Sequence, residues 1–198
     1  MTPEYQIIDN VMPDDEFQEF YKHMMSDNFP WYHSDTVAYG ELKGKTFYDW
    51  LPEHVKLELT DTQRDLLSGP ITKDQQEYNY TFFHRLFENF YITSDDSTWH
   101  YVNRILKILN VKALIRAKAN AYPKTPTIVH HQDHMDQDYD HKGAICYLNK
   151  NNGVTVLNGE TIIESVPNRL LLFNSKIPHH STTCTDVDRR VNLNFNYF

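Results

Sequence analysis

The chain ends in a segment, residues 190–198, whose side chains alternate between polar and apolar, and this pattern constrains the fold more than any other. The polar positions are Arg190, Asn192, Asn194 and Asn196, and the apolar positions are Val191, Leu193, Phe195 and Tyr197. Because successive side chains of a β-strand point to opposite faces of its sheet, the segment predicts a strand with one apolar and one polar face. The polar face is expected either to meet solvent or to line a polar cavity inside a barrel.

Several shorter segments in the second half of the chain also have the length and composition of strands. They are 111–121, which stops at Tyr122-Pro123, then 143–149, 154–157, 160–163 and 169–174. Asn158-Gly159 separates two of them and is typical of a type I′ turn, which needs positive φ angles at both central positions. Many short strands following two leading helices predict a sheet sandwich or a jelly roll braced by helices.

The two helices are predicted in the first half of the chain. The first begins at Pro13, with acidic residues in its first turn, and carries apolar residues at helical spacing as far as Met25. The second follows the capping sequence Ser94–Ser97 and ends near Asn110. Residues 33–80 show no settled period, so loops, small helices and an edge strand are expected there, part of them forming a lid over a cleft.

The length predicts a single domain, and the composition restricts its partners. The domain is expected to span 1–198, with helical support and loops in 1–112 and the sheet core in 113–198. The formal net charge of −8 argues against wide binding to a nucleic-acid backbone, so a small molecule, a peptide or a protein is expected as partner.

The location expected for this chain is the cytoplasm. No stretch reaches the roughly 18 apolar residues of a membrane span, and the N-terminus lacks the basic and apolar regions of a signal peptide. With only Cys146 and Cys184, no disulfide framework is indicated, which is typical of a reducing compartment.

One short stretch, His130–Asp136, concentrates possible metal ligands. It contains two His-x-Asp pairs, His131 with Asp133 and His134 with Asp136. Residues two apart in a strand point the same way, but the two pairs have opposite parity, so a regular strand could not present both to one interior. A third ligand could come from His179 or His180. Two histidines and one carboxylate form the facial triad of non-haem iron(II) oxygenases, although the same residue types also bind zinc.

The order of features in the last third of the chain is more specific than any one of them. A His-x-Asp pair is followed by the strand 144–149, the strand 170–173, Pro178-His179, and Arg190 eleven positions after that histidine. This order resembles the iron(II)- and 2-oxoglutarate-dependent oxygenases of the prolyl 4-hydroxylase-like branch, and looks most similar to the small proteins of cyanobacteria and their phages. The resemblance covers roughly 114–198 well and the N-terminal half more loosely. It implies a mainly β fold with supporting α-helices and a double-stranded β-helix core (jelly roll, cupin-like).

The resemblance also implies roles for individual residues. The implied metal ligands are His134, Asp136 and His179, with the His131 and Asp133 pair and His180 as alternatives. The implied cosubstrate-binding residues are Arg190, which would pair with the far carboxylate of 2-oxoglutarate, Tyr147 and Tyr122. A guanidinium suits this task because it can hold a carboxylate through two parallel hydrogen bonds. No catalytic residue beyond the metal ligands is predicted.

The implied activity is that of a dioxygenase that uses Fe(II), 2-oxoglutarate and O2 to hydroxylate a peptide, a protein or a small molecule. A prolyl residue is one candidate substrate, although nothing in the sequence specifies proline. If the chain is phage-encoded, the enzyme would act in the cytoplasm of the host. Two other classes of protein also fit the residues. A cupin-like metal protein that does not use 2-oxoglutarate would bind metal without depending on Arg190, and a jelly-roll binding or structural protein would bind neither.

Overall fold

The structure is a computed structural model that describes residues 5–37, 45–174 and 176–198. Its strands are β1 Tyr5–Ile8, β2 Tyr32–Ser34, β3 Thr81–Glu88, β4 Tyr91–Ile92, β5 Leu114–Pro123, β6 Lys142–Tyr147, β7 Val154–Leu157, β8 Thr161–Glu164, β9 Arg169–Asn174, β10 His179–Ser181 and β11 Arg189–Tyr197. Its helices are α1 Asp14–Met25, α2 Phe47–Trp50, α3 Glu53–Glu58, α4 Asp61–Ser68, α5 Lys73–Glu77 and α6 Asp96–Ile108. Within these ranges, no helix has both the length and the apolar character that crossing a membrane requires.

The strands form two antiparallel sheets. The larger sheet has the order β1-β9-β6-β11-β5-β3-β2, with β4 paired to β3, and the smaller has the order β10-β7-β8. Side chains of β6 and β9 pack against β7 and β8 in a buried cluster between the sheets, which includes Ile145, Leu171, Leu157 and Ile163. The prediction of a mainly β fold with supporting helices is confirmed.

The other face of the larger sheet packs against α1 and α6. Leu193 and Phe195 of β11 are fully buried there, together with Phe20 of α1 and Ile105 of α6. Three alanines of β5, Ala117, Ala119 and Ala121, lie on the same face. The apolar face predicted for the last strand is thus the one that the helices cover. Its polar face is buried as well, so of the two expected surroundings it has the polar interior.

Local signals account for most helix boundaries and for the hairpin turn. Asp95 caps α6 by accepting a hydrogen bond from the Thr98 amide at 3.0 Å, and acidic residues occupy the first turn of α1 after Pro13. Asn158 and Gly159 have φ angles of 51° and 73°, as the predicted turn between β7 and β8 requires.

Residues 33–80 contain the four short helices α2–α5, and β2 reaches into this region. Thr60 and Thr72 begin α4 and α5, and each forms a capping box with the glutamine three residues later. Part of the predicted lid region, residues 38–44, lies outside the described residues. Residues 1–112, for which helical support and loops are predicted, also supply β1–β4 to the larger sheet, because the backbones of β1 and β3 pair with β9 and β5.

Candidate active site

A β-bulge sets the direction of the histidines in the segment that precedes β6. His130 pairs with Thr182 and His134 pairs with His179, so the chain advances four residues on one side of the ladder and three on the other. An extra residue of this kind reverses the parity of the side chains beyond it. His131 and His134, which a regular strand would point to opposite faces, are therefore both directed inward.

The structure brings His134, Asp136 and His179 together, with one possible ligand atom from each within 4.8 Å of the others. Nε2 of His179 lies 3.8 Å from Oδ2 of Asp136, and the centroids of the two imidazole rings are 4.7 Å apart. Nδ1 of His134 donates to the carbonyl oxygen of Gln132 at 3.2 Å, and Nδ1 of His179 donates to that of Ile177 at 3.1 Å. A carbonyl oxygen only accepts, so a neutral ring in either position keeps the Nε2 lone pair that a metal ligand needs.

The Asp136 carboxylate is buried and held from two sides. Nη2 of Arg116 donates to Oδ1 at 2.7 Å, and Nδ2 of Asn196 donates to Oδ2 at 2.9 Å. Burial alone would raise the pKa of Asp136, but Arg116, followed by His179 and His134, outweighs burial and holds the pKa well below its usual range. Burial, and then the neighbouring His179, lower the pKa of His134 to about 4. An anionic carboxylate beside a neutral imidazole is a donor set suited to a divalent metal.

Arg190 is fully buried at another point of the same polar interior. Its Nε donates to Oγ of Ser165 at 2.8 Å and its Nη2 donates to Oγ1 of Thr155 at 2.9 Å. Its Nη1 has no partner among the described residues, and none of their carboxylates pairs with the guanidinium. Gly153 permits this packing, because a β-carbon there would lie 2.7 Å from Cδ of Arg190 and 2.6 Å from the carbonyl oxygen of Thr183.

Two tyrosines border the Arg190 guanidinium. Its Cζ lies 5.3 Å from the ring centroid of Tyr122, its partner in the β5–β11 register, and 5.7 Å from that of Tyr147. The Tyr147 hydroxyl donates to Oγ1 of Thr155 at 2.8 Å. Burial raises the pKa of Tyr147 to about 12 and also raises the pKa of Tyr122, so both phenols are neutral hydrogen-bonding groups near pH 7.

His131 is a further buried group beside Tyr122. Its Nδ1 shares a hydrogen bond with Oγ of Ser181 at 2.9 Å, and its Nε2 has no partner among the described residues. The His131 and Tyr122 rings lie 5.3 Å apart. Burial, and then Arg190, lower the pKa of His131 to about 3, so the ring is neutral near pH 7. Arg190 and His131 thus each present to the polar interior a nitrogen that has no partner among the described residues.

The alternative ligands do not join the three-residue group. Asp133 and His180 pair with each other, with Oδ1 of Asp133 2.8 Å from Nδ1 of His180. Nε2 of His180 shares a hydrogen bond of 2.9 Å with Nδ1 of His130. His131 and Asp133, which form a ligand pair by spacing, therefore belong to different clusters.

A cavity of about 110 Å³ opens beside the three-residue group. His134 and Asp136 line it together with residues of β5, among them Lys118, Asn120 and Tyr122. Tyr122 connects the two parts of the interior, because it borders Arg190 and also lines this cavity.

Reasoning from sequence missed several residues of this interior. They are Arg116 and Asn196 on Asp136, Ser165 and Thr155 on Arg190, the unpaired His131, and Lys118 in the cavity. A signal for three residues of β5 was present, since Arg116, Lys118 and Asn120 alternate with alanines and share the parity of Tyr122. The hydroxyl groups on β7 and after β8 have no such signal, because their partner is distant in sequence.

Comparison with known proteins supports the fold assignment. No family model and no curated protein matches the sequence. Among the solved structures that match is a 2OG-Fe(II) oxygenase family oxidoreductase from Burkholderia pseudomallei, with 10% identity over 98% of this chain and 84% of that chain and a TM-score of 0.59. A Pseudomonas putida prolyl-4-hydroxylase matches with 13% identity over 99% of this chain and 93% of that chain and a TM-score of 0.54. The viral collagen prolyl hydroxylase of Paramecium Bursaria Chlorella virus-1, in its 2OG complex, matches with 10% identity over 98% of this chain and 96% of that chain and a TM-score of 0.55. At these identities the likeness concerns the fold, and it confirms the predicted jelly-roll core.

Proposed function

We propose that this protein is an Fe(II)- and 2-oxoglutarate-dependent dioxygenase that hydroxylates a C–H bond of its substrate. The observation that carries the proposal is the buried Arg190 guanidinium, which has an unpaired Nη1 and no carboxylate partner among the described residues. Burying an uncompensated charge is costly, and an anionic ligand removes much of that cost. 2-Oxoglutarate has two carboxylates, one for Arg190 and one for a metal held by His134, Asp136 and His179.

The donor set fits the metal that this chemistry requires. Two neutral imidazoles and one carboxylate are the ligands of non-haem iron(II) oxygenases, and they leave other positions of the metal open. Iron(II), when bound, would supply the oxidation in which 2-oxoglutarate, O2 and substrate give succinate, CO2 and the hydroxylated product.

The residues around these ligands hold them in place. The carbonyl groups of Gln132 and Ile177 orient the two imidazoles, and Arg116 and Asn196 orient the Asp136 carboxylate, as outer partners of metal ligands do. Arg190 would bind the far carboxylate of 2-oxoglutarate between the rings of two tyrosines, in an interior that excludes water.

The test is anaerobic titration of the Fe(II)-loaded protein with 2-oxoglutarate, followed through the visible metal-to-ligand charge-transfer band. We expect the band in the wild type and its loss in Asp136→Ala and His179→Ala. Asp133→Ala and His180→Ala are the matched controls, because these residues pair with each other, and both should retain the band. Absence of the band in wild-type protein with confirmed iron content would contradict the proposal and favour a metal-binding jelly roll without 2-oxoglutarate chemistry.

A prolyl residue of a peptide or protein is the first substrate to test. The proposal rests on the structural likeness to proteins that are named prolyl hydroxylases, and the site itself does not select proline. A proline-rich peptide incubated with the loaded enzyme should accelerate succinate formation and gain the mass of one oxygen atom. If neither occurs, prolyl hydroxylation of that peptide is excluded, whereas the charge-transfer test of cosubstrate binding is unaffected.

Cys146 and Cys184 are both free thiols in the structure, and on this basis we propose a reducing compartment, the cytoplasm, as the location.

A further inference from the structure

Lys118 is a charged group of the active-site cavity to which the proposed reaction gives no role. It lies on β5 with the same parity as Arg116, Asn120 and Tyr122, and all four line the cavity beside His134 and Asp136. The Nζ atom of Lys118 lies 5.2 Å from the ring centroid of Phe83. None of the described residues forms a hydrogen bond or an ion pair with this ammonium group.

The charges that line the cavity do not balance. Asp136 is the carboxylate among the described lining residues, and both its oxygens already receive hydrogen bonds, from Arg116 and Asn196. If the Arg116 charge is set against that of Asp136, Lys118 is left as one excess positive charge among the described residues that line the cavity. An Fe(II) ion and a 2-oxoglutarate dianion would cancel each other, so the excess would persist in the loaded enzyme.

The surroundings make a positive charge at Lys118 unfavourable unless an anion joins it. Burial, and then the neighbouring Arg116, lower the pKa of Lys118 to about 8, so the group is still mostly protonated near pH 7. The carboxylates of Asp136 and Glu88 act in the opposite direction but do not outweigh burial, so this ammonium group costs free energy that a leucine or methionine in its place would not. An anion in the cavity would offset this cost.

We infer that the substrate carries an anionic group, a carboxylate or a phosphate, which Lys118 binds beside the metal-binding face of the cavity. The inference rests on the proposed function and names the substrate class for the same site. Asn120 lines the cavity two residues along the strand; its Nδ2 donates to Oδ1 of Asn192 at 3.2 Å, and the second N–H of that amide could donate to the anion.

The size of the cavity indicates how much of the substrate would enter. About 110 Å³ is well below the roughly 300–1,000 Å³ of pockets that enclose a whole small-molecule ligand. The space therefore suits at most one side chain or one end of a substrate, beside the metal that His134 and Asp136 would hold. Since an ammonium group acts as a point charge rather than a planar fork, Lys118 does not by itself distinguish a carboxylate from a phosphate.

The test uses three capped amino acids as probes of the anaerobic enzyme loaded with Fe(II) and saturated with 2-oxoglutarate, so that Arg190 is already occupied. The probes are the N-acetyl, N-methylamide derivatives of aspartate, of O-phosphoserine and of asparagine, the last being a neutral isostere of the first. Calorimetric titration should show that at least one anionic probe binds about tenfold or more tightly than the asparagine probe, and the stronger of the two identifies the anion.

Two variants of Lys118 decide whether this residue is responsible. Lys118→Met keeps an unbranched side chain, one atom shorter, and removes its charge, so the preference for the anionic probe should disappear. Lys118→Arg keeps the charge and should retain most of the preference. A preference that survives in Lys118→Met, equal binding of charged and neutral probes, or no binding of any probe would each overturn the inference.

The charge-transfer band separates failure of this inference from failure of the proposed function. Loss of the band in Lys118→Met would also overturn the inference, because Lys118 would then act on the metal or the cosubstrate rather than on the substrate. Absence of the band in the wild type would contradict the proposed function, and the inference about its substrate would fall with it. A normal band in the wild type without a Lys118-dependent preference for an anionic probe would overturn the inference alone.

Discussion

The two faces of β5 and β11 differ in chemistry although they belong to the same two strands. The face toward α1 and α6 is formed by alanines of β5 and by Val191, Leu193, Phe195 and Tyr197 of β11. The opposite face carries Arg116, Lys118, Asn120 and Tyr122 of β5 and Arg190, Asn192, Asn194 and Asn196 of β11. Most side chains of both faces are buried, so burial alone does not distinguish them.

The difference is in what each face contributes. The apolar face stabilises the fold because it removes hydrocarbon from water, which contributes roughly 25 cal/mol per Å². The polar face has a cost instead, because buried cations and amides need partners, and some of its nitrogen and oxygen atoms have none among the described residues. A buried face that costs stability and points at a cavity is what the proposed binding of a metal and 2-oxoglutarate requires.

The largest effect should come from the apolar face. Phe195→Ala removes a fully buried ring between the sheet and the helices, and we expect it to lower the free energy of unfolding by about 3–5 kcal/mol. Denaturant titration with linear extrapolation measures this change. Ile162→Ala is the control, since this apolar side chain of β8 is 64% exposed and should change stability by less than about 0.5 kcal/mol. Similar losses in both variants would contradict the assignment of this face to the core.

A smaller effect, on binding rather than on folding, should come from Arg190. Arg190→Met removes the charge that we propose pairs with the cosubstrate, and we expect a Kd for 2-oxoglutarate about 100-fold higher, or roughly 2.7 kcal/mol. The free energy of unfolding should not fall comparably, because the buried cation has no carboxylate partner in the described part of the chain. Arg190→Lys restores the charge without the planar fork and should recover part of the affinity. A large fall in the free energy of unfolding of Arg190→Met, with an unchanged Kd for 2-oxoglutarate, would contradict the roles given to the two faces.

The smallest effect should be a gain in stability. Lys118→Met removes an ammonium group whose pKa is lowered to about 8 in the folded chain and is about 10.4 in the unfolded chain. Because the pKa of this base is lower in the folded chain than in the unfolded chain, its protonation destabilises the fold. The destabilisation is present in full below about pH 8 and decreases progressively up to about pH 10.4.

We therefore expect Lys118→Met to be more stable than the wild type by about 1–3 kcal/mol at pH 7, with the difference shrinking as the pH approaches 10. Urea unfolding at pH 7, 8.5 and 10 measures it. A difference that grows with pH would have the wrong sign and would show that burial does not disfavour the charged form.

Local interactions are what the sequence by itself determined. The alternation in 190–197 fixed which side chains share a face, because the period of a strand is a property of the backbone. Asn158-Gly159 fixed the β7–β8 turn through its positive φ angles, and Asp95 fixed the start of α6 through a hydrogen bond to a near neighbour. Each of these depends on residues a few positions apart.

The tertiary structure alone decided which histidines come together. The bulge between His130 and His134 turns both His131 and His134 inward, and an insertion of one residue in a ladder is not readable from spacing. The choice between His179 and His180 follows from the register of β10 against that segment, across more than forty residues of chain. Register depends on how the whole sheet closes, and a shift by one residue exchanges the two faces, so no local pattern could decide it.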